Sequence, residues 1–425
     1  MINKILYFFT FLFCFHSTQA QFYGTESLQN RNFDLGIKSV KLTQAQDPFS
    51  YPVINLGQRR GLLLSFDDLE EGRSLAYTLV HCNSDWTPSN LDISEYLIGF
   101  EQESLDNFEF SFNTFTDYVH YELLFPNTDM GVSISGNFVL QVYDEDTEVL
   151  LFSRRFMVVE PLVDVQAIFQ KPSNIQLIDS NHEFDFNVLH PRLQISNPRN
   201  SVKATVLQNG RWDNAVEGLQ PVFIKKDLLE FDYQNKVSFK AGKEFRRVDL
   251  RNLKIPPKHI AQIEVGLEGI IAYRTSEKRR SNLAYFENQD LNGRFILDAD
   301  DRNNSTTASE YIQTIFTLES HYQRTESDLF IFGELTNWKI LPEAKMYYDK
   351  ELKAYLGEMM LKQGFYNYYY VEVPYSENED TAVIDWTEGS WYEAEDDYLI
   401  LIYFRPFGGR YDKIIAYQRI NSRDW

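Results

Sequence analysis

The stretch Asn137-Phe138-Val139-Leu140-Gln141-Val142-Tyr143 decides the fold. Phe138, Leu140 and Val142 fall on one side of an extended chain, with Asn137, Val139, Gln141 and Tyr143 on the other, which is the period of two expected of a strand. Outward from it, residues 62–66, 75–80, 118–125, 202–207, 312–318 and 329–332 are similar short apolar runs. Residues 398–404 are apolar without a break, which suits a strand buried on both faces. Turn residues punctuate the runs, among them Pro126-Asn127, Ser135-Gly136-Asn137, Asn209-Gly210 and Gly408-Gly409. Helical periodicity is scarce, with 91–100 the best and a short candidate. Regularly spaced short strands without intervening helices predict an all-β chain of two to three sandwich domains in series.

Composition agrees. Of 425 residues 43% are apolar and 15% aromatic, enough to bury large cores and to exclude disorder. The 62 acids against 41 Lys and Arg give a formal charge of -21, the wrong field for nucleic acid or an anionic membrane surface. Lys4, the apolar run 5–15 and the small residues of Ser17-Thr18-Gln19-Ala20 read as a secretory signal cut after Ala20. Cys14 follows Phe13 rather than a small residue, which argues against lipid attachment. Removing 20 of 425 residues leaves 405 with one thiol, Cys82, and no possible internal disulfide. Alternate positions Tyr417, Arg419, Asn421, Arg423 and Trp425 do not make a lipid face, so a membrane β-barrel is disfavoured.

At roughly 150 residues per domain the mature chain holds about three. Seams are expected after Glu160-Pro161 and in the polar stretch 298–309. The boundaries are therefore a signal at 1–20, an N-terminal sandwich at 21–161, a middle β-rich domain at 162–305 and a C-terminal sandwich at 306–425.

The search for chemistry comes back empty. No two of the seven histidines stand at i, i+2 or i, i+4, so no local metal site is expected. Asp298-Ala299-Asp300-Asp301-Arg302 opens like a calcium loop and then places Arg302, Asn303 and Ser309 at ligand, glycine and glutamate positions, which reads as a solvated linker. His81 and Cys82 adjoin at a strand end and should point to opposite faces, making Cys82 a buried thiol rather than a nucleophile. No glycine-rich phosphate loop or Gly-x-Ser-x-Gly elbow occurs, and neither a catalytic residue nor a cofactor is expected. The aromatic clusters at 365–370 and 386–392 read first as packing, and the acidic stretch 393–397 as a solvated turn or a rim for a basic partner.

Two resemblances add to this reading. Phe332-Gly333-Glu334-Leu335-Thr336-Asn337-Trp338, Met346-Tyr347-Tyr348-Asp349 and Leu361-Lys362-Gln363-Gly364-Phe365-Tyr366 resemble a glycogen- or starch-binding-type immunoglobulin-like module. That likeness implies immunoglobulin-like sandwiches, and it places Trp338 where such modules can stack on sugar. The second is wider. Leu64-Ser65-Phe66-Asp67-Asp68-Leu69, His81-Cys82-Asn83-Ser84-Asp85-Trp86, Glu95-Tyr96-Leu97-Ile98-Gly99-Phe100 and Ser135-Gly136-Asn137-Phe138 resemble the plug protein of the Bacteroidota type IX secretion system. Trp386-Thr387-Glu388-Gly389-Ser390, Tyr403-Phe404-Arg405 and Gly409-Arg410-Tyr411-Asp412 agree. The resemblance implies a non-enzymatic, soluble periplasmic protein that docks on the periplasmic mouth of the outer-membrane translocon barrel. It would close the pore while no cargo or shuttle is engaged, touching the membrane only through the barrel. It assigns no interface residue. The alternative is a periplasmic carbohydrate-binding protein using Trp338.

Overall fold

The computed structural model describes residues 25–70, 72–300 and 305–423. The signal at 1–20 with Cys14, the terminal Trp425 and part of the 298–309 seam, including Arg302 and Asn303, lie outside the described residues. The chain is all-β. Its helices are single turns, such as Ile93–Tyr96 and Pro198–Ser201.

The expected helix at 91–100 is limited to that first turn. Asp92 receives the Glu95 side chain on its own N–H (2.9 Å), and the chain then straightens into Leu97–Gly99, which pairs with Met130–Val132. Tyr96 and Leu97 are buried side by side, a demand that a turn followed by a strand meets and a continuing helix would not.

A sheet of ten strands runs through the described residues. In order it comprises Val216–Leu219, Val202–Gln208, Asp397–Phe404, Lys413–Asn421, Leu150–Val159, Gly136–Asp144, Leu75–Cys82 and Glu103–Ser104, with Arg31–Asn32 and Val53–Asn55 also on Leu150–Val159. Its two halves meet at the parallel pair Val159 and Ile414, and the Glu160 and Leu162 amides continue the seam to the Ile414 and Ile415 carbonyls (2.9 Å each).

One half is covered by the sheet Ile37–Gln44, Leu62–Asp68, Val119–Phe125, Phe108–Phe110. Leu62, Leu64 and Phe66 there pack on Phe138, Leu140, Val142, Phe152 and Phe156. The other half is covered by Asp164–Gln170, Asn181–Leu189, Leu228–Phe231 and Phe223–Lys225, with Ser238–Lys240. A further sheet of nine strands, built on Gly364–Pro374 and Tyr311–Glu319, forms a third unit around a separate core of Phe316, Leu329, Ile331, Tyr368 and Tyr370.

The alternation at 137–143 is borne out, but its second face is buried too. Val139 joins Cys82, Met157, Leu399, Leu401, Tyr403 and Ile414 in a core where the halves of the ten-stranded sheet pack on each other. Residues 398–404 are buried on both faces as expected: Tyr398, Ile400, Ile402 and Phe404 serve the middle sandwich, and Leu399, Leu401 and Tyr403 this inter-sandwich core.

The pairing cuts across the boundary expected at 305. Arg246–Asp249 and Ile270–Arg274 join the third unit, whereas Asp397–Phe404 and Lys413–Asn421 leave it for the sheet of Val202–Gln208. A strand apolar on both faces belongs between two cores rather than in the outer sheet of one terminal sandwich.

Because Leu401 lies in the core that joins the sandwiches, Leu401→Ala should cost about 2–5 kcal/mol. Urea unfolding should show the fluorescence and circular-dichroism transitions moving together; a shift confined to one of two separable transitions would contradict the shared core.

Candidate functional site

The motif residues converge on polar knots between units rather than on a cleft. Strand Leu75–Cys82 ends in a turn in which the Trp86 amide donates to the Asn83 carbonyl (3.0 Å). Asp412 accepts from the Ser84 amide (3.0 Å) and hydroxyl (2.7 Å) and from Arg405 Nε (2.8 Å), while the Arg405 guanidinium also donates to Asn83 Oδ1 (2.7 Å). Burial pushes the Asp412 carboxyl up, but the two Ser84 bonds and Arg405 outweigh it and hold the group below the usual range. Tyr403 donates to Asn137 Oδ1 (3.0 Å), whose amide donates to the Asn83 carbonyl (2.9 Å). Gly136 is required here: at φ 148° a Cβ would stand 2.3 Å from His81 Nε2 and 3.2 Å from the Asp412 carbonyl.

His81 and Cys82 do not act as a pair. The His81 ring packs between Phe138 and Tyr411, and burial lowers its pKa to about 4. Cys82 points into the inter-sandwich core, where burial pushes its thiol up to about 12.

A second knot joins the first sandwich to the third unit. Asp67, on the outward face of strand Leu62–Asp68, accepts from Lys362 Nζ (2.7 Å), Tyr311 OH (2.6 Å) and His120 Nδ1 (2.6 Å). Lys362 also donates to the Thr306 carbonyl (2.8 Å) and lies 4.1 Å over the Tyr118 ring. Both charges are buried, Asp67 at 0% and Lys362 at 2% exposure. Burial raises the Asp67 carboxyl, yet Lys362 and His120 hold it below its ordinary value, and burial lowers the Lys362 ammonium against the pull of Asp67. With three donors on one carboxylate, the charged pair is the state this geometry favours.

The third knot explains the aromatic clusters. Glu388 accepts from Arg246 Nε (2.8 Å), Arg280 Nε (2.7 Å) and the Tyr370 amide (3.1 Å). Glu277 accepts from Arg246 (2.8 Å), Tyr368 OH (2.6 Å) and Tyr370 OH (2.8 Å). Burial raises the Glu277 carboxyl, but Arg246 and Arg274 overcome it and bring it down to about 2. The Tyr-rich strand is therefore core, with the Tyr368 and Tyr370 hydroxyls spent on Glu277 and those of Tyr366 and Tyr369 on the Lys362 and Lys243 carbonyls.

The acidic stretch 393–397 also turns inward. Asp396 accepts from Asn209 (2.6 Å) and Gln208 (2.9 Å), and Asp397 from Arg419 (2.7 Å) and Tyr51 (3.0 Å); only Glu393 of the acids there is exposed. Neither a solvated turn nor a docking rim describes Asp396 and Asp397.

Trp338 is half-buried on the flank of the third unit. Phe245 and Phe332 meet it edge-on at 5.9 and 5.5 Å, and the Arg211 guanidinium covers a face of the indole at 4.8 Å. A stacking sugar would have to displace that cation. Among the described residues no group of three or more His, Cys, Asp or Glu is placed to hold a metal, and no helix is long and apolar enough to cross a membrane.

Comparison with known proteins bears on the same residues. Residues 37–160 match the family described as type 9 secretion system plug protein 1st domain. A solved structure titled as that of a hypothetical protein from Parabacteroides merdae ATCC 43184 is 33% identical, covers 92% of this chain and 99% of its own, and superposes with a TM-score of 0.87. No curated protein matches. Asp67, Asn83, Ser84 and Gly136 lie in the matched segment and their partners Lys362, Arg405 and Asp412 outside it, so the matched domain supplies one side of two knots.

Lys362→Met should destabilise the protein by about 3–5 kcal/mol in urea unfolding, since it strands a buried carboxylate. Adding Asp67→Asn should recover part of that loss, and a double variant no better than the single would count against the pairing. Glu277 is ordinarily near 4.5 and sits at about 2 here, so its contribution is fully present above pH 4.5 and is lost as pH falls toward 2. The stability gap between the parent and Glu277→Gln should therefore narrow through that window; a gap independent of pH would refute the assignment.

Proposed function

We propose that this chain, which belongs to one family with the Parabacteroides merdae protein and carries over residues 37–160 the first domain of type 9 secretion system plug proteins, is a non-enzymatic stopper of that secretion system. It docks on the periplasmic opening of the outer-membrane translocon barrel and closes it while no cargo or shuttle is engaged. The protein resides in the periplasm. The matching family is a secretion-system plug family and not a known enzyme family.

The observation that carries this reading is where the motif residues go. Asp67, Asn83, Ser84, Lys362, Arg405, Asp412 and Glu388 all hold one part of the chain to another. A stopper must keep its shape against a pore, and buried charge pairs serve that need because each is strongly destabilising to break. The glycan-binding alternative gains no support from Trp338, whose ring is already packed.

Deleting the gene in a strain whose barrel lacks its other partners should make the outer membrane permeable to large antibiotics. Unchanged permeability would refute the stopper role. Loss of the barrel from affinity-purified envelope material would refute the docking.

A further inference from the structure

Among the described residues the first sandwich is open at one edge. Strand Phe108–Phe110 is the last of its sheet and, among those residues, pairs only with Val119–Phe125. The Glu122 amide donates to the Asn107 carbonyl (3.1 Å) and the Ser111 amide to the Tyr118 carbonyl (2.8 Å). The ladder bonds thus fall on 107, 109 and 111, and the peptide groups of Phe108 and Phe110 face outward. Two residues past Phe110 the same edge is already taken, since the Phe112 amide donates to the Thr307 carbonyl (2.9 Å).

Four phenylalanines stand out along this edge. Phe108, Phe110, Phe112 and Phe115 are 45%, 61%, 77% and 46% exposed, whereas Phe66, Phe138, Phe152 and Phe156 in the same sandwich are at 1% or less. Phe108 and Phe110 meet edge-to-face at 5.8 Å and form one wall of a groove with Leu75, Leu105, Val119 and Tyr121. A bare, aromatic strand edge invites pairing with another chain unless something covers it.

The charge around it says what kind of chain. From 74 to 153 there are 80 residues with 14 Asp and Glu and no Lys or Arg. Asp106 and Glu145 line the groove, the exposed Glu109 stands between Phe108 and Phe110, and the exposed Asp117 follows Phe115 by two positions. Arg73, at the groove's end, is held by Asp34 and Asp68. A second copy of the same edge, or an anionic lipid surface, would meet this field with like charge.

We propose that the edge Phe108–Phe110 and the adjoining Phe112 and Phe115 form the surface on which a translocon component docks, through an extended apolar segment flanked by Lys and Arg. The segment adds a strand to the open edge, sets its apolar side chains against the phenylalanines and its cations against the acids. This rests on the stopper reading and gives that reading its contact surface.

The test isolates the tagged full-length protein from envelopes and quantifies the co-purifying outer-membrane barrel. The parent should retain the barrel, increasingly poorly as salt is raised. Phe108→Ser with Phe110→Ser, and separately Asp106→Lys with Glu109→Lys, should each cut recovery about tenfold or more at an unchanged melting temperature. The exposed single change Glu109→Lys serves if a double variant does not fold. Full recovery with the variants overturns this surface and leaves the stopper reading standing. No barrel with the parent overturns both. Phenylalanine-dependent binding to phosphatidylglycerol vesicles, or phenylalanine-dependent self-association in sedimentation, would assign the edge to another occupant and overturn the proposal.

Discussion

Strand Asp397–Phe404 has no side left for water, and the rest of the molecule is arranged around that fact. Its residues are all buried, with Ile400 and Ile402 in the middle sandwich and Leu399 and Leu401 in the core shared with the first. Each fully buried aliphatic or aromatic side chain contributes about 1.5–3 kcal/mol from burial alone. A strand loaded on both faces can be satisfied only between two sheets, so it draws the sandwiches together. The residues that follow, Arg405 and Asp412, are thereby delivered to the turn at Asn83 and Ser84.

The polar knots act on top of that apolar attraction and give it direction. Hydrophobic faces slide on one another at modest cost, whereas a carboxylate that has left water must find its donors in one position. Asp67 finds three, and Glu388 finds two guanidinium groups and a backbone amide. Register between the units is therefore fixed by charge, and the closeness of the units by apolar area.

The sequence made part of this legible for a physical reason. Alternation at 137–143 and continuous apolarity at 398–404 are local properties, and both strands follow them. Asn137 and Gln141 look like solvent-facing residues, yet they are buried because Tyr403 and the Ser27 carbonyl supply partners from far along the chain. Likewise Asp67 and Lys362, 295 positions apart, each resemble a stray surface charge in an apolar run. The motif residues stood out by likeness, but likeness carries no partner, and so the knots could not be read. The acids at 393–397 showed their sign and not their direction. The Phe-rich edge is not legible as a surface, because phenylalanine in a strand reads as core until its neighbours are known.

The return of the C-terminal hairpin has a temporal side. Val202–Gln208 waits nearly two hundred residues for its neighbour Asp397–Phe404, so the middle sandwich cannot close until that late strand is free to pair. Until then its apolar sheet stands uncovered, the situation in which slow, non-local pairing leaves a chain open to aggregation and to proteases. Closure of the middle sandwich is consequently all or nothing: a chain interrupted before residue 397 carries that sandwich not shortened but unfinished.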